Sequence, residues 1–206
     1  MKQLPKLGAV LLAAGGSSRL GEPKQLVRFA GETLVRRMAG HLLNLCPGSV
    51  TVVTGCCADS VVRELEDLSV QLVHNPGWQE GMASSLSLGV QNLPAQIDGG
   101  LIVLCDQWKL ELADLKELSN SWMVDISQIV AAGWVEEGGQ LIGPPAIFPR
   151  NMFAQLTALK GDRGAKKVIQ NNRDRTTIVT MEAARFDLNS PADLQNILMS
   201  SSPHIA

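Results

Sequence analysis

The chain has no run of Lys or Arg longer than two, and its 18 basic and 20 acidic residues leave a formal net charge of -2. Nucleic acids and anionic membranes are met by patches of one sign, so composition argues against both partners while leaving small anions open. No apolar stretch approaches the roughly 20 residues that a membrane-spanning helix requires. The four cysteines (Cys46, Cys56, Cys57 and Cys105) show no Cys-x-x-Cys spacing, and adjacent Cys56 and Cys57 cannot easily bridge each other. Zinc and disulfide frameworks are therefore not expected, and reduced thiols point to the cytoplasm. His41, His74 and His204 share no ligand spacing, and no repeat or low-complexity stretch is visible. Lys2 and Lys6 before Leu7 to Ala14 have the outline of a signal peptide, but the apolar run is at the low end of the length such a segment needs.

What is present is a chain of 206 residues, 45% hydrophobic, enough for one α/β domain over 1–206 with a full core. Apolar runs at Leu7 to Ala13, Ser49 to Val53, Val70 to His74 and Leu101 to Cys105 read as strands buried on both faces. Between them, Thr33 to Leu45, Ala58 to Leu68 and Met82 to Leu93 show helical spacing, with Thr33 and Asp59 as expected caps. Such alternation predicts βαβ units and a mostly parallel, Rossmann-like sheet flanked by helices. After Trp108 the pattern is less regular. Ile129 to Trp134 and Gln140 to Phe148 read as a hairpin around Glu136-Glu-Gly-Gly139, which makes the sheet mixed, and the Ser-rich tail at 198–206 is expected to fray.

The most informative stretch is Leu11-Leu-Ala-Ala-Gly-Gly-Ser-Ser-Arg-Leu-Gly-Glu-Pro-Lys-Gln25, where a buried strand ends in glycines and then delivers two spaced cations. Gly15, Gly16 and Gly21 let the backbone approach a ligand, while Arg19 and Lys24 can neutralise phosphate oxygens. A P-loop is excluded, because Gly21 is followed by Glu22 and Pro23 and no hydroxyl follows Lys24; the dinucleotide fingerprint is broken at Gly15-Gly16-Ser17-Ser18-Arg19. The bland reading is an ordinary strand-to-helix loop. Asp106, directly after the fourth strand, should face the same crevice as this loop, although a lone Asp there also serves as a helix cap.

Leu-Ala-Ala-Gly-Gly-Ser-Ser-Arg-Leu-Gly-Glu-Pro-Lys resembles the signature loop of nucleotidyltransferases, and among them the molybdenum cofactor cytidylyltransferases. The resemblance continues in order through Val52-Val-Thr-Gly55, Asn75-Pro-Gly-Trp-Gln-Glu-Gly-Met-Ala-Ser-Ser-Leu86, Leu104-Cys-Asp-Gln107, Gly143-Pro-Pro-Ala-Ile-Phe-Pro149, Gly161-Asp-Arg-Gly-Ala165 and Phe186-Asp-Leu-Asn-Ser-Pro-Ala-Asp193. It implies transfer of a nucleoside monophosphate from an NTP to the phosphate of a molybdopterin-type acceptor, with Mg2+ required and pyrophosphate released. It also implies catalytic roles for Arg19, Lys24 and Asp106, and nucleotide contacts from Ala13, Ala14, Gly15, Gly16, Thr54 and Ser85. Asp106 and Asn189 would hold the metal. Thr54 and Gly55 would shape the acceptor pocket, the Gly161 to Lys167 cations would either meet the acceptor phosphate or form a solvated charged face, and a molybdoenzyme would receive the product. Ala14, where guanylyl enzymes of this kind usually have glycine, favours CTP over GTP.

Two departures stand out. Asn189 replaces the second aspartate of the family motif, leaving Asp187 to compensate, with Asn189 or Ser190 capping a helix at Pro191 as the structural reading. Trp108 replaces a proline and is expected to alter the loop around the acceptor, whereas Trp78 reads as packing. The competing functions are a guanylyltransferase, a sugar-phosphate or methylerythritol-phosphate nucleotidyltransferase of the same fold, and a cofactor-binding delivery protein without turnover.

Overall fold

The structure, a computed structural model, describes residues 4–201; Lys2, His204 and the end of the tail lie outside them. In chain order the elements are β1 (Leu7–Ala13), β2 (Arg28–Phe29), β3 (Glu32–Thr33), α1 (Leu34–Leu45), β4 (Val50–Thr54), α2 (Ala58–Leu65), β5 (Gln71–His74) and α3 (Met82–Gln91). They continue with β6 (Gly99–Leu104), α4 (Leu112–Val124), β7 (Ile129–Glu136), β8 (Gly139–Pro149), α5 (Phe153–Thr157), α6 (Ala165–Asn171), β9 (Thr176–Thr180) and α7 (Pro191–Ser201). Seven strands form one sheet in the order β5-β4-β1-β6-β8-β7-β9, with β2 and β3 as a separate small ladder. The pairs from β5 to β6 and the pair β7–β9 are parallel, and β8 runs antiparallel to β6 and β7.

Burial on both faces explains the uninterrupted apolar strands. In β1, Leu7, Ala9, Leu11 and Ala13 face a core shared with α1, α2 and α4, while Val10 and Leu12 face a second core shared with α3, α5 and α6. β1 lies between β4 and β6, so its carboxyl end opens where three parallel strands finish together, the usual crevice of open α/β sheets. A third, smaller core joins Val27, Leu34, Trp108, Leu188 and Ile197 and fixes α7 beside the first loop.

Several sequence expectations need correction. The cap of α2 is Cys57, with Asp59 inside the first turn, and the helix stops at Leu65, not Leu68. Thr33 does occupy the cap position of α1, but its hydroxyl donates to Glu64 instead of capping. Of the tail expected to fray at 198–206, the part up to Ser201 belongs to α7 and the rest lies outside the described residues. Trp108 is 3% exposed and packs edge-on against Phe29 and Phe186.

Candidate active site

The loop after β1 is held open by its own tethers. Cys56 N–H donates to Ala14 O at 3.1 Å, and the Gln25 side-chain amide donates to Ala13 O at 3.0 Å and Gly15 O at 2.7 Å. Among the described residues, none of the backbone N–H groups from Gly15 to Arg19 has an intramolecular acceptor. A row of free amides at a strand end is an anion cradle. Ser17 closes the loop in the left-handed region at φ 51°, and its hydroxyl accepts the Lys24 N–H at 3.0 Å.

Lys24 then reaches across the crevice to the carboxylate of Asp106, at the end of β6. Burial works against the Lys24 ammonium, but the charge and hydrogen bond of Asp106 more than reverse this and raise its pKa. Asp106 is 5% exposed, and its carbonyl accepts the Leu188 N–H at 3.0 Å, which draws residues 187–189 alongside. Asp187 consequently joins the site. Its Oδ1 is buried without a hydrogen-bond donor, and burial followed by the charge of Asp106 pushes its carboxyl up to about 7. The 187 segment is also pinned by an isolated bridge to Gln107, whose side chain donates to Pro144 O and Ala184 O, each at 2.9 Å.

Three hollows meet around Lys24 and the paired aspartates. The first, of about 350 Å³, is lined by Ala14, Gly15, Gly16, Trp78, Ser85 and Asp106. The second, of about 130 Å³, holds Ser17, Ser18, Arg19, Lys24 and Asn189. The third, of about 410 Å³, shares Met82, Leu104 and Asp162 with the first and adds Gln107, Trp134, Lys166, Lys167 and Asp187. One phosphate chain can therefore run along the loop amides while two different groups occupy the larger hollows on either side of the carboxylates.

The expected residues divide accordingly. Ala14, Gly15, Gly16, Ser85 and Asp106 line the first hollow, Arg19 and Asn189 the second, and Lys24 reaches both. Ala13 and Thr54 are not among the residues lining these three hollows: the Ala13 side chain sits in the core below β1, and Thr54 is 1% exposed. Ser85 lies in the first turn of α3, which begins at Met82, and its hydroxyl accepts from Asn75 at 2.9 Å. Asn189 presents its backbone N–H to Asp193 at 3.0 Å, and Ser190 with Asp193 forms reciprocal capping bonds at the start of α7, as the structural reading expected. Of the Gly161 to Lys167 cations, Lys166 and Lys167 line the third hollow.

Sequence reasoning assigned nothing to Gln25, which is wholly buried beneath the loop, and gave Trp78 only packing. The Trp78 ring does pack against the second core, and it is also a wall of the first hollow, lying where a Cβ on Gly16 would come within 2.9 Å of it. Gly81, at φ 109°, brings the start of α3 against the Gly161 backbone, where even a methyl group has no room. That contact sets Asp162 and the Lys166–Lys167 helix beside the crevice.

Known proteins share both sequence and architecture. The chain is 38% identical over 87 residues to nicotine blue oxidoreductase of Paenarthrobacter nicotinovorans, an alignment spanning 42% of this chain and 43% of that protein's length. It is 25% identical over 190 residues to the purine catabolism protein PucB of Bacillus subtilis, spanning 82% and 83%. Among solved structures, Rv0371c of Mycobacterium tuberculosis H37Rv superposes with a TM-score of 0.74 at 26% identity, covering 96% of this chain and 100% of the other. The family model for the MobA-like NTP transferase domain matches residues 9–176, an extent that runs from within β1 through α6 and takes in the loop, Lys24, Asp106, the whole first hollow and all of the third except Asp187. On that match the chain belongs to the family of MobA-like NTP transferase domains and is a nucleotidyltransferase.

Proposed function

We propose that this enzyme transfers a cytidylyl group from CTP to the phosphate of a molybdopterin-type acceptor and releases pyrophosphate. The observation that carries this reading is the convergence of the free loop amides, Lys24, Asp106 and Asp187 between two hollows, one on the Ser85 side and one on the Lys167 side. The triphosphate lies on the amides of residues 15–19 with Arg19 and Lys24 neutralising it, and its base enters the hollow of Ala14, Trp78 and Ser85. The acceptor enters from the other side, where Lys166 and Lys167 hold its phosphate near Asp187.

The donor set fits a magnesium ion: Asp106 and Asp187 lie side by side, and the orphaned Asp187 Oδ1 lacks the partner that a cation would supply. Held by Asp106 and Asp187, Mg2+ would supply positive charge that offsets the charge on the leaving pyrophosphate. Asn189, beside Arg19, is placed to touch the phosphate chain, so we assign the second carboxylate of the site to Asp187. An acceptor phosphate is already ionised near neutral pH, so its oxygen needs no base to attack the α-phosphorus. The protein's work is to align the two phosphates and hold their charge. Lys24 changes partner as the nucleotide arrives, leaving Asp106 for a phosphate oxygen.

Ala14 is among the residues that line the base hollow, which supports CTP over GTP. With purified protein, MgCl2, molybdenum cofactor and each triphosphate in turn, pyrophosphate should be released fastest with CTP. A preference for GTP overturns the base assignment, and no release with any triphosphate overturns the acceptor. In that case sugar phosphates and methylerythritol phosphate are the acceptors to screen.

A further inference from the structure

Gln25 has no place in the chemistry above, yet it is the most enclosed polar side chain of the site, at 0% exposure. Both hydrogens of its amide are spent on carbonyls of the loop, Ala13 O and Gly15 O, while its Oε1 is buried with no donor. An orphaned buried acceptor is costly. A leucine would fill similar space without that cost, so what sets Gln25 apart at this position is its amide and the two carbonyls that it holds.

A trans peptide points its C=O and the next N–H in opposite directions. Drawing Gly15 O down onto Gln25 therefore turns the Gly16 N–H up, away from the core. In the same way the bond from Cys56 N–H to Ala14 O turns the Gly15 N–H away from β4. Consecutive amides are thus aimed by two tethers attached from below, and both amides are free of intramolecular acceptors among the described residues. Without the Gln25 amide, Ala13 O and Gly15 O would each lose their donor and the 15–16 peptide could rotate, presenting a carbonyl dipole where a phosphate should sit.

We infer that Gln25 is a positioning residue which preorganises the anion-binding amides of the loop, acting on phosphate groups and not on the base. The inference rests on the reading of residues 15–19 as the phosphate cradle. It is tested by titrating CTP, GTP and inorganic tripolyphosphate, each with MgCl2, into the wild type, Gln25→Glu and Gln25→Leu by calorimetry, with the melting temperature of each variant measured alongside. Loss of the donor should weaken all three anions alike, by roughly tenfold or more, a difference of about 1.4 kcal/mol. Gln25→Glu, which sets a carboxylate against two carbonyls, should be worse than Gln25→Leu. A merely structural role would lower the melting temperature but leave the affinity of the folded fraction unchanged, and that result overturns the inference. Loss confined to one base overturns it too. Should Gln25→Glu fail to fold, Gln25→Leu alone decides. If the wild type binds none of the three anions, the cradle itself falls and this inference with it; wild-type binding matched by Gln25→Leu removes the inference and leaves the cradle standing.

Discussion

The ammonium of Lys24 is paired with the carboxylate of Asp106, 82 residues further along the chain and on the neighbouring strand's end. In this resting arrangement the principal cation of the crevice is already neutralised. On the function proposed above, a triphosphate would take Lys24 from Asp106 and a metal ion would replace Lys24 as the partner of Asp106, so the two ligands should assist each other.

Asp106→Asn separates these effects. It should leave Lys24 free for phosphate and raise the affinity for CTP without metal severalfold, while pyrophosphate release falls by about two orders of magnitude or more. Lys24→Met should instead weaken CTP under both conditions. Near-normal turnover in Asp106→Asn or Asp106→Ala would remove the carboxylate from the reaction.

Asp187 makes stability fall as pH rises. Its carboxyl is pushed up to about 7 in the folded protein from an ordinary value of 3.8. Below that ordinary value both folded and unfolded chains carry the proton, and Asp187 is without penalty. Between 3.8 and about 7 the unfolded chain has released the proton and the folded chain has not, so the favourable contribution is lost progressively and is gone above the folded value. Melting temperatures of the metal-free wild type and Asp187→Asn should therefore diverge across this window, with the variant relatively more stable at pH 8 than at pH 4. Asp67, held near 2 chiefly by its Arg36 hydrogen bond, acts in the opposite sense at more acid pH and is common to both proteins. Parallel pH profiles would show that Asp187 is not confined beside Asp106.

Much of this was legible in advance because the relevant signals are local. β1 reads correctly residue for residue, since a strand buried on two faces must be apolar at every position, and Asp106 follows from its place after a second such strand. Beyond Trp108 the signals blur. In α4 the inward positions Leu115, Leu118, Ser119 and Trp122 include a serine, while Met123 and Val124 are exposed, so the apolar stripe has no clean edge. β9 is short and threonine-rich at the edge of the sheet. Gln25 was illegible for a different reason: its partners are backbone carbonyls, which carry no residue identity, although its position directly after Lys24 marked it as part of the loop.

The second half of the Asp-Leu-Asn-Ser-Pro-Ala-Asp193 stretch is structural. Asp193 accepts from the Ser190 hydroxyl at 2.7 Å and from the N–H groups of Ser190 and Asn189. Burial opposes its charge, yet these hydrogen bonds hold its carboxyl below the usual range. Asp193→Ala should cost about 1 kcal/mol of helix capping, some 2–4 °C of melting temperature in a chain of this size. Pyrophosphate release at a permissive temperature should stay within about twofold of wild type, because Asp193 itself lines none of the three hollows. A hundredfold loss of turnover with normal melting would place Asp193 in the chemistry instead.

Gly16 and Trp78 offer the most direct check on which hollow takes the base. A methyl group on Gly16 would lie 2.9 Å from the Trp78 ring, too close for the ring to stay where it is. The Gly16 backbone is not in the left-handed region, so Gly16→Ala acts through this contact and not through φ. The ring must swing toward the hollow it walls, and Gly16→Ala should lower CTP affinity by about tenfold, as expected when a bound ligand and a displaced side chain compete for one volume. Trp78→Leu removes the obstacle. The double variant should therefore bind CTP better than Gly16→Ala alone, a coupling of the kind expected of residues in contact. Tripolyphosphate, which has no base to place in that hollow, should be nearly indifferent to Trp78→Leu. Additive losses for CTP, or equal losses for CTP and tripolyphosphate in Trp78→Leu, would move the base out of the Ser85 hollow.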